Sequence, residues 1–253
     1  MDSTKLLLSY TRRAVDDYEM ISDGDKIAVG VSAGKDSLTL LCALAQMRRF
    51  YPKKFELVAI TVDMGFDGMD FSPIKKFCDE LNVEYHIVNT QISKIIFDVR
   101  KESNPCSLCA KMRRGALHTA AKELGCNKVA LGHHFDDVVE TFMLNLFYEG
   151  RIGCFQPVTY LSRIDLHLIR PMIYMPEKDV KYFANKTALP VIKSPCPADK
   201  NTERENMKQL LNSIERENKG LRYRIFGALQ RGNIDGFKAV GMTGLKDYEE
   251  NDT

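Results

Sequence analysis

The 253-residue sequence has no apolar stretch approaching the ~18 residues needed to cross a bilayer, which excludes a membrane-spanning helix. It also lacks the pattern of a secretory leader. The opening residues, MDSTKLLLSYTRRAVDDYEM, mix acids and arginines into an amphipathic repeat and read as a helix. The compartment expected from this is the cytoplasm. No Pro/Gly/Ser-rich linker and no internal repeat appears, so a string of tethered modules is not expected. Strong charge of one sign is missing too. The 36 basic and 34 acidic residues leave +2, which alone neither indicates nor excludes a nucleic-acid partner. The seven cysteines suit thiols or metal ligands better than a disulfide framework in that compartment.

What is present is a 44% hydrophobic chain, enough for a sizeable core, in which strand-like and helix-like runs alternate. KIAVGV (26–31) precedes DSLTLLCALAQMRRF (36–50), and ELVAITVD (56–63) precedes SPIKKFCDELN (72–82), with Ser72 as the expected cap and Pro73 in the first turn. EYHIVN (84–89) leads through a loop to CAKMRRGALHTAAKELG (109–125). KVALG (128–132) leads to FDDVVETFMLNLFYEG (135–150), and both of these helices stop at a glycine. The strands are short, apolar and rich in Val and Ile, as strands buried on both faces are. The order predicts an α/β fold with a parallel sheet and right-handed crossovers. Beyond Gly150 the pattern shifts. HLIRPMIY (167–174) reads as one more strand, and residues 177–188, 201–220 and 221–231 as helices closing over the sheet's edge. The expected organisation is an N-terminal helix (1–24), the α/β domain (25–175) and a helical C-terminal extension packed on it (176–253). The terminal DYEENDT reads as a frayed acidic tail.

Gly30 to Ser37, GVSAGKDS, join the first strand to the first crossover helix. Ligands of open parallel sheets bind at this edge, where N–H groups and the helix dipole favour anions. The motif is not G-x-x-x-x-G-K-[ST], because Gly30 and Gly34 stand one residue too close and Asp36 replaces the metal-holding hydroxyl. G-x-G-x-x-G is absent as well. A tight strand–helix turn capped by Ser32 or Asp36 is the plain alternative, but it gives no reason for both a lysine and flanking serines. Ser32, Gly34, Lys35, Asp36 and Ser37 resemble the SGGxDS pyrophosphate loop of the ATP pyrophosphatases, which cleave ATP between its α and β phosphates. Ala33 stands where that family has its first glycine, a departure expected to have a modest effect.

LGHHFDD, from Leu131 to Asp137, falls at the same sheet edge. Acids at a helix start are stabilised by its dipole, and the histidines can cap. Set beside the pyrophosphate loop, the segment strengthens the resemblance, which implies nucleotide-, metal- or target-arranging roles for Gly132, His133 and Asp137. The same resemblance puts adenine against the backbone of Asp63 and Met64.

NPCSLCAKMRRG sets Cys106 and Cys109 in C-x-x-C at a helix start. The helix N-terminus with Lys111, Arg113 and Arg114 is expected to lower their pKa values. Alone, the pair fits a zinc half-site, iron–sulfur ligands or a redox pair. Cys196 lies between Pro195 and Pro197, so a rigid turn presents it. Cys42, Cys78 and Cys126 read as small buried hydrophobes, and Cys154 has no assignment. From Ile92 to Lys128 there are eight basic residues against three acids, a stretch able to face a polyanion or simply water.

Taken in order, the loop, PCSLCAKMRRGAL, LGHHFDDVVETFMLNLFYEG, IRPM and the late Pro-Cys resemble the TtcA family, tRNA 2-thiocytidine synthetases, over about Lys26 to Lys208. The resemblance implies a Rossmann-like sheet of the adenine nucleotide α-hydrolase type. It implies a [4Fe–4S] cluster on Cys106, Cys109 and Cys196, with one iron free for sulfide. It also implies ATP and Mg²⁺ on Ser32, Ala33, Gly34, Lys35, Asp36 and Ser37, with Lys35, Asp36 and Asp137 catalytic. The tRNA contacts would come from Lys111, Arg113 and Arg114. The implied partners are tRNA, ATP, a sulfur donor such as a cysteine desulfurase system and, in some members, a second copy of the chain. The implied reaction adenylates the C2 oxygen of a cytidine of the anticodon loop (position 32 type) and replaces it with sulfur. Rival readings are a thiouridine synthetase or a small-molecule adenylating ligase with zinc on the cysteines, and a nucleotide- and metal-binding sensor without turnover. Paired C-x-x-C motifs at both chain ends, found in zinc-containing thiouridine enzymes, are missing.

Overall fold

The computed structural model describes residues 2–100, 105–193, 195–196 and 203–239. Lys101, Pro197 and the acidic tail lie outside them. Helix α1 (Ser3–Asp17) leads into β1 (Asp25–Gly30) and α2 (Lys35–Met47). Then come β2 (Phe55–Asp63), α3 (Ser72–Glu80), β3 (Glu84–Asn89), the single turn α4 (Ile92–Lys94), a π-helical turn (Ile95–Arg100) and α5 (Pro105–Glu123). β4 (Lys128–Ala130), α6 (Phe135–Tyr148), the pair β5 (Val158–Leu161) and β6 (Leu166–Ile169), and α7 (Glu177–Lys186), α8 (Glu203–Glu217) and α9 (Leu221–Arg231) complete the order.

The described strands form one six-stranded sheet in the order β3-β2-β1-β4-β6-β5. All neighbours are parallel except the β5–β6 edge pair. Alternation along the strands divides the core in two. Ile27, Val29, Leu57, Ala59 and Ala130 face a large cluster with α1, α2, α6 and α7. Ala28, Val58, Ile60 and Val129 face Leu117 and Ala121 of α5. α2 is buried nearly all round, between α1 and α7, which explains its lack of a polar stripe. α8 and α9 pack on α6. Among the described residues no helix is long and apolar enough to cross a membrane.

Three local expectations need correction. The run 167–174 is not one strand. It is strand only to Ile169, where it pairs with an unforeseen antiparallel neighbour, because Pro171 cannot donate to a ladder. Ser72 is not the α3 cap. Phe71 occupies that place, and the Asp70 carboxylate accepts from Ser72 N (2.9 Å) and Oγ (2.9 Å). α5 starts at Pro105, four residues before the expected Cys109, using proline where its missing N–H costs nothing.

Lys128, counted with the basic segment, is instead buried under the sheet's other end. Its ammonium lies 2.7 Å from Asp25 Oδ2 and donates to Met20 O at 3.0 Å. Asn127 Nδ2 donates to the other Asp25 oxygen at 2.7 Å. This polar knot ties β1 to β4 and to the end of α1. Removing one partner of such a pair leaves a buried charge, a loss of roughly 3 kcal/mol. Lys128→Met is expected to lower the urea midpoint accordingly, and adding Asp25→Asn to recover part of the loss. A double variant no better than the single would show that the pair is not coupled.

Candidate functional site

β1 ends in a turn held from below. Val31 N donates to Ile60 O at 2.8 Å, and Thr61 Oγ1 donates to Val31 O at 2.9 Å. Ala33 is buried with φ of +64°, a left-handed conformation normally left to glycine. That explains why glycine is expected at this position, and Ala33 carries the strain. Ser37 Oγ closes the turn, accepting from Ser32 N at 3.1 Å and donating to Gly34 O at 3.0 Å. The N-cap of α2 is Gly34, which has no side chain to occupy the first-turn N–H groups. They remain available to an anion.

The ammonium of Lys35 reaches over this turn to Asp36 (3.0 and 3.1 Å) and to Glu177 Oε1 (3.3 Å). Burial works against its charge, but Asp36 and then Glu177 outweigh burial, and the pKa is raised. Gly132 lies against the same turn. A Cβ there would meet Asp36 C at 3.0 Å, Asp36 O at 3.1 Å and Ser37 N at 3.1 Å, all backbone. Gly132 therefore lets the end of β4 approach the helix that follows the loop.

The histidines divide the work. His134, one of the two histidines read as able to cap, is the N-cap of α6 in a reciprocal box. Its Nδ1 accepts from Asp137 N (3.3 Å), while Asp137 Oδ2 accepts from His134 N (2.9 Å). Its Nε2 lies 3.7 Å from Asp36. His133 stacks on Phe155, 4.8 Å between centroids, with its Nδ1 buried and unpartnered among the described residues. Burial, then Arg170, push its pKa down to about 4, so it is neutral at pH 7. Asp137 has both oxygens engaged, the second with Arg204 at 3.2 Å. In this structure Asp137 fixes a helix end.

Four further charged residues complete the region. Arg204 on α8 and Arg222 on α9 each lie 3.7 Å from buried Glu140, and Arg222 is 3.3 Å from Asp136. Asp136 Oδ2 accepts from Glu177 N at 2.7 Å. Burial, with Asp137 behind it, pushes Glu140 up to about 7 despite its two arginines. These partners come from segments distant in sequence, and only the histidines' capacity to cap and the acids' place at a helix start were readable.

The carbonyls of Asp63 and Met64 accept from Thr90 N (3.0 Å) and Ser93 N (2.9 Å). Met64 Sδ lies 3.8 Å from Cys109 Sγ, bringing α5 to the end of β2. Cys106 is exposed, and Cys109 and Cys196 are half-buried. Burial raises the Cys109 pKa, Arg113 opposes this, and Cys196 and Cys106 add to the rise. The expected lowering at Cys109 is thus reversed, because burial of its own thiol outweighs Arg113. The same observation shows all three cysteines within electrostatic reach. No group of three His, Cys, Asp or Glu among the described residues stands at metal-binding spacing. Lys111 and Arg114 are exposed, and Arg113 is half-buried beside the thiols.

A PP-loop domain family model matches residues 9–215. A tRNA-cytidine(32) 2-sulfurtransferase of Geobacter sulfurreducens is 41% identical over 225 residues, 88% of this chain and 87% of its own. One from Syntrophotalea carbinolica is 40% identical over 94% and 92%. The chain belongs to the tRNA-cytidine(32) 2-sulfurtransferase family of PP-loop proteins. Its fold superposes on the U34-tRNA thiolase NcsA of Methanococcus maripaludis, solved with its [4Fe-4S] cluster, with a TM-score of 0.73 and 28% identity over 90% of this chain and 79% of that one. The NH3-dependent NAD synthetase of Campylobacter jejuni shares the fold alone, with a TM-score of 0.51 at 14% identity.

Two outcomes test the geometry. Gly132→Ala forces the added methyl into backbone, an overpacking loss of about 1–3 kcal/mol. It is expected to weaken ATP binding measured by calorimetry, and unchanged affinity and stability would refute the contact. Glu140 titrates at about 7 when folded against an ordinary 4.5. The folded state therefore keeps a proton that the unfolded state has lost, and stability from this group falls as pH rises from about 4.5 through 7. Glu140→Gln is expected to flatten that fall in urea titrations across the window, leaving the curves parallel above it. Glu177, lowered to about 2, acts in a separate, more acidic window.

Proposed function

We propose that this PP-loop sulfurtransferase uses ATP to replace the C2 oxygen of a tRNA cytidine, position 32 of the anticodon loop, with sulfur. The observation that carries the reading is the shared edge. The Lys35 turn ends β1, Met64 ends β2, and Met64 touches Cys109. An activating site and a sulfur site then face one reacting atom.

The O2 oxygen of cytosine attacks the α-phosphorus of ATP, the bond to the bridging oxygen breaks, and pyrophosphate leaves. Ser32, Gly34, Lys35 and Ser37 hold the leaving group through N–H groups, a hydroxyl network and the Lys35 ammonium, where charge develops. Asp36 would hold Mg²⁺ beside it, and Ala33 forms the turn. The adenylated C2 is then electrophilic. Hydrosulfide adds there, AMP departs with the former O2, and a proton is released. The backbones of Asp63 and Met64 border the adenine side, and His133, neutral, borders the other.

Cys106, Cys109 and Cys196 would be the donor set for an iron–sulfur centre: all three are free of disulfides, Cys106 and Cys196 act electrostatically on Cys109, and Arg113 favours the Cys109 thiolate. A [4Fe–4S] cluster held by these three cysteines would supply the sulfur-carrying chemistry. Lys111, Arg113 and Arg114 present positive charge at the same place for tRNA phosphates. The target base must be unstacked to enter. A cytoplasmic setting, an outside sulfur donor and pairing of two copies are consistent with this chemistry.

Mass spectrometry of tRNA nucleosides from cells lacking the protein is expected to show loss of 2-thiocytidine, and its persistence would overturn the reading. Lys35→Ala is expected to fold and to lose thiolation by at least a hundredfold, the scale of a lost electrostatic stabiliser. Anaerobic reconstitution with iron and sulfide is expected to give a cluster absorption band that Cys196→Ala abolishes. An unchanged band would remove Cys196 from the ligand set.

A further inference from the structure

The carboxylate of Glu177 is surrounded by three ammonium groups from three separate helices. Lys208 of α8 lies 2.7 Å from Oε2, and Lys181 of α7 and Lys35 of α2 lie 3.1 and 3.3 Å from Oε1. The side chain of Glu177 is only 12% exposed, and its backbone is pinned by Asp136. One carboxylate therefore shares three lysines, one of which also pairs with Asp36. Glu140 and Glu205 draw on Lys208 as well, though more weakly than Glu177 does. Three cations gathered around one acid suit a more highly charged anion than a carboxylate.

We propose that Lys181 and Lys208, with Lys35, form an extended pyrophosphate-binding site that Glu177 fills as an internal stand-in until the phosphates of ATP arrive. This rests on the reading of residues 32–37 as the pyrophosphate loop and extends it to the C-terminal helices, which nothing in the loop motif involves. Glu177 holds the lysines converged at little reorganisation cost, because its own oxygens occupy the places of phosphate oxygens. On binding, the anion takes over the ammonium groups and Glu177 is displaced from them. The C-terminal helices are thereby tied to the occupancy of the loop through Lys208, whose contact with Glu177 is the shortest of the three.

The alternative for Glu177 is a clamp that merely holds Lys35 in place, and the two roles predict opposite signs. Calorimetric titration of the purified full chain with inorganic pyrophosphate and Mg²⁺, without tRNA, separates them. If Glu177 is a stand-in, Glu177→Gln removes a competing anion and tightens pyrophosphate binding by roughly tenfold, the worth of one charge-assisted contact. If Glu177 is a clamp, the same variant weakens binding, and the proposal fails. Lys208→Met is expected to weaken pyrophosphate binding about tenfold while its thermal midpoint stays within a few degrees of the parent. Unchanged affinity in Lys208→Met overturns the extended site. Lys35→Ala serves as the reference. If it abolishes binding while Lys208→Met does not, the loop reading stands and this proposal falls. If Lys35→Ala leaves binding intact, the loop reading itself falls.

Discussion

The first turn of α2 and the chain at Gly132 meet backbone against backbone, and the site depends on that contact. A Cβ at Gly132 would sit 3.0 Å from the Asp36 carbonyl carbon. With none present, the end of β4 can close on the start of α2. That closure sets His134 Nε2 near Asp36 and starts α6 beside the phosphate turn. It also places Asp136 and Asp137 where the C-terminal helices can reach them. Parallel pairing of β1 with β4 supplies the coarse alignment, and the absent side chain supplies the last ångström.

From that start the charges are arranged outward. Read from the sequence, Asp136 and Asp137 are acids stabilised at a helix start, and the family resemblance adds a catalytic role for Asp137. In the fold they fasten α7, α8 and α9, through Glu177 N, Arg204 and Arg222. The Arg222–Asp136 pair is buried and adds little net stability, because desolvation cancels much of the attraction, and the more exposed Arg204 pair is weakened by solvent. Glu140 shows the balance directly. Two arginines stand 3.7 Å away, yet burial still wins and its acid form persists to about 7. Such a lattice does more for geometry than for stability. It allows one docking of the helices on α6, and each misplacement strands a charge.

The sheet was legible because its strands are buried on both faces and its crossovers end at glycines, signals that are local. The β5–β6 hairpin was not. Its four-residue strands are too short to show alternation, and Pro171 gave HLIRPMIY the look of a longer run. In the site, residues 32–37 were read through their resemblance to the SGGxDS pyrophosphate loop, the spacing itself only excluding G-x-x-x-x-G-K-[ST]. Ala33 was read as a small loss of freedom, and its φ of +64° shows that it adopts the glycine conformation regardless. Glu177, Arg204 and Arg222 were not readable, because their meaning lies wholly in contacts across 40 to 140 residues of chain. The sign of the Cys109 shift failed for a related reason. The neighbouring cations were visible in sequence, but the cover over the thiol was not, and burial is the larger effect.

The contact between Cys109 and Met64 bears on why both chemistries belong on one edge. Adenylation makes C2 of the base reactive toward any nucleophile, water included, so sulfur must arrive sooner than solvent. A sulfur site on another face would require the activated tRNA to let go and rebind, with hydrolysis in between. At 3.8 Å the two sulfurs bring the first turn of α5 onto the end of β2, one strand away from the Lys35 turn. Cys196 approaches from the segment just before α8, the helix that carries Arg204 and Lys208. On the proposed assignment, the residues that hold phosphate and those that hold sulfur stand at the ends of the neighbouring strands β1 and β2. On that assignment a base within reach of both need not be released between adenylation and sulfur transfer, and exclusion of water depends on how closely α5 and the C-terminal helices surround it.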